Sequence, residues 1–212
     1  DWLAGQKLLM LEPRRIAARS AAQFMARQIG EEVGQTVGYR TRLDTRISAA
    51  TRIEVVTEGI LTRMVQQDPA LSGYGMVIFD EFHERSLQAD LGLALVREVQ
   101  QALREDLRLL VMSATLDGSR IAALLDNAPV IASEGRSYPV SVHYSAPERT
   151  PWLDHTVREV LALLSRPDSG SVLVFLPGTG EIRRLVALLA DRLPDDVHLA
   201  PLYGDLGPAE QD

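Results

Sequence analysis

Nothing limits the fold of this chain more than its rhythm: short apolar runs of four to six residues alternate with longer stretches of helical spacing. Residues 7–11, 53–56, 76–79, 107–112 and 129–132 read as strands. Residues 14–29, 58–65, 87–103 and 119–125 place apolar side chains near a 3.6-residue period and read as helices, while 30–48 reads as loop. Strands this apolar, separated by helices, predict an α/β fold with a parallel sheet covered on both faces. In such sheets ligands bind beyond the carboxyl ends of the strands, so polar residues just after strands are the candidates for chemistry.

The rhythm breaks once. Residues 134–151 are rich in Ser, Pro and charge without a sustained period and read as a linker. It then restarts with a helix over 153–164, a strand over 172–176, a helix over 180–192 and a strand over 197–202. The expected organisation is a first domain over 1–133, a linker over 134–151 and the start of a second α/β domain over 152–212.

Composition narrows the classes. With 46% hydrophobic and 24% charged residues the chain has the makings of a packed core. It has no Cys, which excludes disulfides and thiolate metal sites. No apolar run approaches the length of a membrane span and no signal segment opens the chain, so the expected location is cytoplasmic. The net charge of −7 argues against a polyanionic partner, but its distribution does not. Residues 1–63 carry ten basic and seven acidic groups, and the remainder is net −10. Lys7 is the sole lysine; the other cations are Arg, whose planar forks suit bidentate phosphate contacts, although a solvated basic surface has the same composition.

The sharpest local signal is Val77-Ile78-Phe79-Asp80-Glu81-Phe82-His83, in which an apolar strand delivers two carboxylates and an imidazole at its carboxyl end. In a nucleotide hydrolase the first carboxylate holds Mg²⁺, usually through water, and the second orients and deprotonates the attacking water. A strand end with solvated acids has the same appearance. Arg14 and Arg15 follow a strand end and open a helix, where free N–H groups and the dipole favour phosphate; Pro13 starting a helix with solvated arginines is the alternative. Thr57 also follows a strand and can hold a phosphate, cap the next helix, or both. Ser113 and Thr115 close the strand beside that of Asp80, or form an ordinary turn before Asp117. His143, His155 and His198 read as surface or packing residues.

Taken in order, these segments resemble the DEAH/DExH branch of the superfamily 2 helicases. Glu12-Pro13-Arg14-Arg15-Ile16-Ala17-Ala18 is similar to the family's first nucleic-acid-contacting motif, and Gly38-Tyr39-Arg40-Thr41-Arg42 to its next segment. Thr57-Glu58-Gly59-Ile60-Leu61 resembles the second backbone-contacting motif. Asp80-Glu81-Phe82-His83-Glu84-Arg85 matches the motif that names the family, with Phe82 where most members have Ala, a mark of one bacterial branch. Ser113-Ala114-Thr115 matches the motif coupling ATP hydrolysis to strand separation. Glu134-Gly135-Arg136-Ser137-Tyr138-Pro139-Val140 resembles the interdomain linker, and Val174-Phe175-Leu176-Pro177-Gly178 and Pro201-Leu202-Tyr203-Gly204 resemble second-domain motifs.

The resemblance implies an ATP- and Mg²⁺-dependent RNA helicase with two RecA-like domains. Asp80 would bind the metal, Glu81 activate water and His83 couple. Ser113 and Thr115 would relay to a nucleic-acid track of Arg14, Arg15, Thr57 and Gly178 that contacts single-stranded RNA through its backbone. No Gly-x-x-x-x-Gly-Lys-Ser/Thr loop occurs in the 212 residues. The expected first domain is therefore a RecA-like, P-loop NTPase fold lacking its first strand and phosphate loop, and the chain is read as cut short at both ends. A DNA-directed translocase of the same superfamily, or a non-enzymatic RNA- or protein-binding module, are the alternatives.

Overall fold

The computed structural model describes residues 3–114, 118–133, 135, 138–146, 150–204, 206 and 207. The chain divides into two compact units, Asp1–Glu134 and Gly135–Asp212.

The first unit is built on six strands: β1 (Lys7–Glu12), β2 (Val37–Arg40), β3 (Thr45–Arg46), β4 (Ile53–Thr57), β5 (Tyr74–Phe79) and β6 (Arg108–Val111). They lie in the order β3-β2-β4-β1-β5-β6, and every pairing is parallel except the antiparallel β2–β3 edge. Helices α1 (Arg15–Gln28), α2 (Glu58–Gln67), α3 (Leu87–Ala102) and α4 (Gly118–Leu124) connect or follow them.

Strand periodicity sorts the side chains into two layers. Leu9, Leu11, Val56, Val77 and Phe79 face α2 and α3 and bury Leu61, Val65, Leu93, Val96 and Val99. Met10, Val55, Val37 and Tyr39 face α1. The buried stripe of α1 is Ala18, Ala22 and Ala26, spaced at one helical turn, so the helix lies close against the sheet. Gly92 serves the same end in α3: a Cβ there would meet Leu61 Cδ2 at 3.0 Å and Phe79 Cε1 at 3.5 Å. Each fully buried Leu or Phe contributes roughly 1.5–3 kcal/mol of transfer free energy.

Two expectations for this unit need correction. Residues 30–48 are not simply loop, since they contain β2 and β3. Val37-Gly38-Tyr39-Arg40 is short and carries a glycine, so its strand character comes from its parallel ladder with β4. Gly38 is required by close approach, because a Cβ there would collide with the Arg46 carbonyl. Residues 129–132 pair with nothing among the described residues, and Ile131 is 95% exposed. An apolar run becomes a strand only when a neighbour offers an edge.

One polar network crosses the sheet. Glu54 is fully buried; its carboxylate pairs with Arg40 Nη2 at 2.8 Å and accepts a hydrogen bond from Tyr74 Oη at 2.8 Å. Burial and that carboxylate push the Tyr74 hydroxyl pKa upward.

The second unit contains α5 (Trp152–Leu164) and α6 (Thr179–Leu189), joined by a core of Val157, Val160, Leu185 and Leu189. Residues 172–176 and 197–202, expected as strands, form no ladder among the described residues. The alternation of the first is nevertheless visible. Val172, Val174 and Leu176 pack on the helices, while Leu173 and Phe175 are 77% and 86% exposed. Period-2 patterning sets which face is buried, but hydrogen-bonded neighbours make a sheet.

Candidate active site

The carboxyl ends of β1, β4, β5 and β6 in the first unit converge on the turn that follows β5. The Asp80 N–H bonds the Leu11 carbonyl at 3.0 Å, carrying the β1–β5 ladder one residue past the strand. Asp80 Oδ1 accepts the Glu81 N–H at 2.8 Å. Glu81 takes a left-handed backbone, φ +48°, which costs a non-glycine residue about 1–2 kcal/mol and turns the chain sharply. A 3₁₀ turn over Phe82–Glu84 follows, pinned to β6 by the Phe82 N–H to the Met112 carbonyl at 3.1 Å. Phe82 is 4% exposed and meets Phe79 edge-to-face, with ring centroids 6.1 Å apart. The Arg85 guanidinium lies 5.5 Å from the Phe82 ring and is itself held by Asp90 at 2.8 Å. The phenylalanine is thus the anchor that leaves Glu81 and His83 on either side of it at the sheet end.

His83 joins two motifs. Its Nδ1 accepts the Ala114 N–H at 3.2 Å, and its Nε2 lies 3.2 Å from Glu81 Oε2. With Nδ1 acting as acceptor, a neutral ring carries its proton on Nε2, the nitrogen nearer the Glu81 carboxylate. The imidazole therefore connects the proposed base to the backbone of Ser113-Ala114. Ser113 and His83 both line a cleft of about 660 Å³ beside α3 and α4. Thr115 lies outside the described residues.

On the opposite side a cleft of about 190 Å³ is lined by Glu12, Arg14, Glu58, Asp80, Glu81 and Glu84, among others. Glu12, the last residue of β1, is 5% exposed. Its carboxyl pKa rises from 4.5 to about 7, first because of burial, then through the charge of Asp80 and a hydrogen bond with the Asp80 carboxyl, and then through the charges of Glu81 and Glu84. Sequence reading assigns this residue no role. It opens the segment that resembles the family's first nucleic-acid-contacting motif, but only the register of β1 on β5 brings it beside Asp80.

The candidate phosphate-contacting residues are distributed less evenly. Arg14 is the extended residue before α1, and its Nε and Nη2 reach Glu84 Oε2 at 3.2 and 3.0 Å. Arg15 is exposed on the first turn of α1. Thr57 precedes α2, with extended backbone and no side-chain cap hydrogen bond. Next to it Glu58 Oε1 accepts from Ser86 Oγ at 2.8 Å, and that hydroxyl caps α3 by accepting the Ala89 N–H at 2.9 Å. The second motif is thereby tied to the turn bearing Asp80. Gly178 belongs to the other unit, where it precedes α6 with φ −169°. Among the histidines outside the motifs, His155 bonds Ser145 within that unit at 2.9 Å.

A divalent cation fits the donor chemistry of the first site, since hard oxygens surround Asp80. Among the described residues no three side chains form a protein cage for a metal.

Comparison with known proteins places this geometry. Residues 3–124 match the DEAD/DEAH box helicase family. The ATP-dependent RNA helicase HrpB of Escherichia coli (strain K12) is 55% identical over 205 residues, which is 97% of this chain and 25% of that protein. The ATP-dependent RNA helicase HrpA homolog of Haemophilus influenzae is 36% identical over 94% of the chain and 16% of its own length. Two crystal structures of E. coli HrpB, described as a DExH-box NTPase and as a DEAH/RHA helicase, superpose with TM-scores of 0.79 and 0.89 at 54% identity over 98% of the chain. The chain spans about a quarter of the length of HrpB. The mostly parallel six-stranded sheet is of the RecA-like type, and its strand ends carry Asp80-Glu81-Phe82-His83 and Ser113-Ala114. On its sheet, its motif order and its matched span, this chain belongs to the DEAD/DEAH box helicase family.

Proposed function

We propose that this chain supplies hydrolytic and nucleic-acid-contacting parts of an ATP-dependent RNA helicase. The observation that carries the proposal is the connection from Glu81 through His83 Nε2 and Nδ1 to the Ala114 N–H. It joins a water-activating carboxylate to a segment of a neighbouring strand end. Change at one end is therefore felt at the other.

Bound Mg·ATP would supply the phosphoryl group and the cationic charge that offsets its anionic transition state. Asp80 would hold the cation through a carboxylate already oriented by the Glu81 N–H. Glu81 would take the proton of the attacking water, its own orientation kept by the His83 Nε2–H. Ser113 and Thr115 would pass the state of that carboxylate to the nucleic-acid track. Arg14, Arg15 and Thr57 would contact backbone phosphates, with Gly178 contributing from the second unit. Phosphate contacts position a strand without reading its bases. RNA as the partner is supported by HrpB and the HrpA homolog, both named ATP-dependent RNA helicases.

In the intact protein, Glu81→Gln is expected to lower RNA-stimulated ATP turnover by about 10²–10⁴-fold, the range of general-base catalysis, with ATP binding retained. Asp80→Ala should weaken Mg·ATP binding as well. Equal loss of binding and turnover in Glu81→Gln would give that residue a structural or metal-holding role instead. Stimulation by DNA rather than RNA strands of equal length would point to the DNA-directed translocase.

A further inference from the structure

The Asp80 carboxylate has a neighbour to which neither hydrolysis nor strand binding assigns a part. Glu12 closes β1 where the Leu11 carbonyl bonds the Asp80 N–H, so the two carboxylates leave adjacent parallel strands at one level. Glu12 is 5% exposed, more buried than any other acid of the cleft, and it lines that cleft together with Asp80. Glu58, Glu81 and Glu84 line the same cleft. Among the described residues no Arg, Lys or His forms an ion pair with it; nearby Arg14 is committed to Glu84. A buried carboxylate without an ion-pairing cation is among the costlier arrangements in a protein. A hard cation would neutralise it, and Asp80 is the residue assigned to hold one.

We propose that Glu12 is a positioning residue of the divalent-cation site, orienting the Asp80 carboxylate and the cation's water shell from the β1 side. The inference rests on Asp80 being the cation-holding residue. Groups that orient a ligating carboxylate act on the metal through that ligand, and their loss typically weakens metal affinity by about 10–100-fold. Glu12 adds a second negative charge on the buried flank of the site, where screening by water is weakest. Arg14 and Glu84 close the exposed flank, so the β1 carboxylate addresses Asp80 from inside the sheet end.

The test uses the intact protein with ADP and Mn²⁺ as probes. ADP binding is titrated without divalent cation and then against rising Mn²⁺, for the parent, Glu12→Gln, Glu12→Asp and Asp80→Asn. The expected result is unchanged cation-free ADP affinity in Glu12→Gln, with the Mn²⁺ midpoint raised about tenfold or more. Glu12→Asp, which keeps the charge, should recover part of the shift, and thermal unfolding of the cation-free proteins confirms that each variant is folded. Should Glu12→Gln prove unfolded, the Glu12→Asp midpoint carries the test, with any rise counting for the inference and none against it. An unchanged midpoint in folded Glu12→Gln, with the Asp80→Asn midpoint raised, overturns the role of Glu12 alone. Midpoints unchanged in both variants overturn the assignment of Asp80 as well.

Discussion

At the carboxyl end of β1, Glu12 ties the stability of the first unit to pH. Its folded pKa of about 7 lies above the unfolded value of 4.5, because burial and three acidic neighbours disfavour the charged form. Its contribution is therefore complete below pH 4.5 and is lost as pH rises through 7. Without divalent cation, Glu12→Gln should be more stable than the parent at pH 8 by on the order of 1–3 kcal/mol, a gap that closes toward pH 4.5. Urea unfolding at the two pH values measures it, and a gap that fails to shrink in acid would refute Glu12 titration as its origin. Arg14 poses the opposite question, since its guanidinium is held by Glu84 on an exposed surface where such a pair is weak and open to competition from phosphate. In the intact protein Arg14→Ala should weaken RNA binding for all sequences alike and reduce the salt slope by roughly 0.7. An unchanged slope would leave Arg14 as no more than a helix start.

Among the elements, the turn after β5 is the one whose packing and chemistry are hardest to separate. Asp80, Glu81 and His83 take their places because Phe82 is driven into the core against Phe79 and the Phe82 N–H reaches β6. Phe82→Ala would leave a cavity at the junction of β5, α3 and the 3₁₀ turn. The expected loss is about 3–5 kcal/mol, read as a lower thermal midpoint, with ATP turnover falling further than the unfolded fraction explains. A stable variant with parental turnover would show that the turn is held by its backbone bonds alone. The β2–β3 edge and the Arg40–Glu54–Tyr74 network belong to this scale too, because the buried Glu54 meets Arg40 and Tyr74 only when strands β2, β4 and β5 are all in place.

For the molecule as a whole, positive charge is concentrated in residues 1–63, while the remainder is strongly acidic. Arg14, Arg15 and Thr57 share that basic part with β1 and β4, two of the strands that end at the site. The 212 residues contain no phosphate-cradling Gly-x-x-x-x-Gly-Lys-Ser/Thr loop. The chain purified by itself is accordingly expected to show no RNA-stimulated ATP turnover above a buffer control. Turnover that scales with protein and disappears in Glu81→Gln would contradict this.

What is legible in the bare chain is what local information carries. The alternation of apolar runs with helical periods placed α1 to α6 within a few residues of their observed ends, and it located β1, β4, β5 and β6. Residue type at the end of β5 singled out Asp80, Glu81 and His83, since carboxylates and imidazole after a buried strand are recognisable without knowing the neighbours, whereas Ser113 entered only through the resemblance of its motif. Packing in three dimensions settled whatever depends on pairs distant in the chain. It made strands of β2 and β3, left 172–176 without a ladder, set Arg14 on Glu84 and placed Glu12 beside Asp80. A strand, an ion pair or a shifted pKa is a property of two segments brought together, and its energy appears only once the register between them is set.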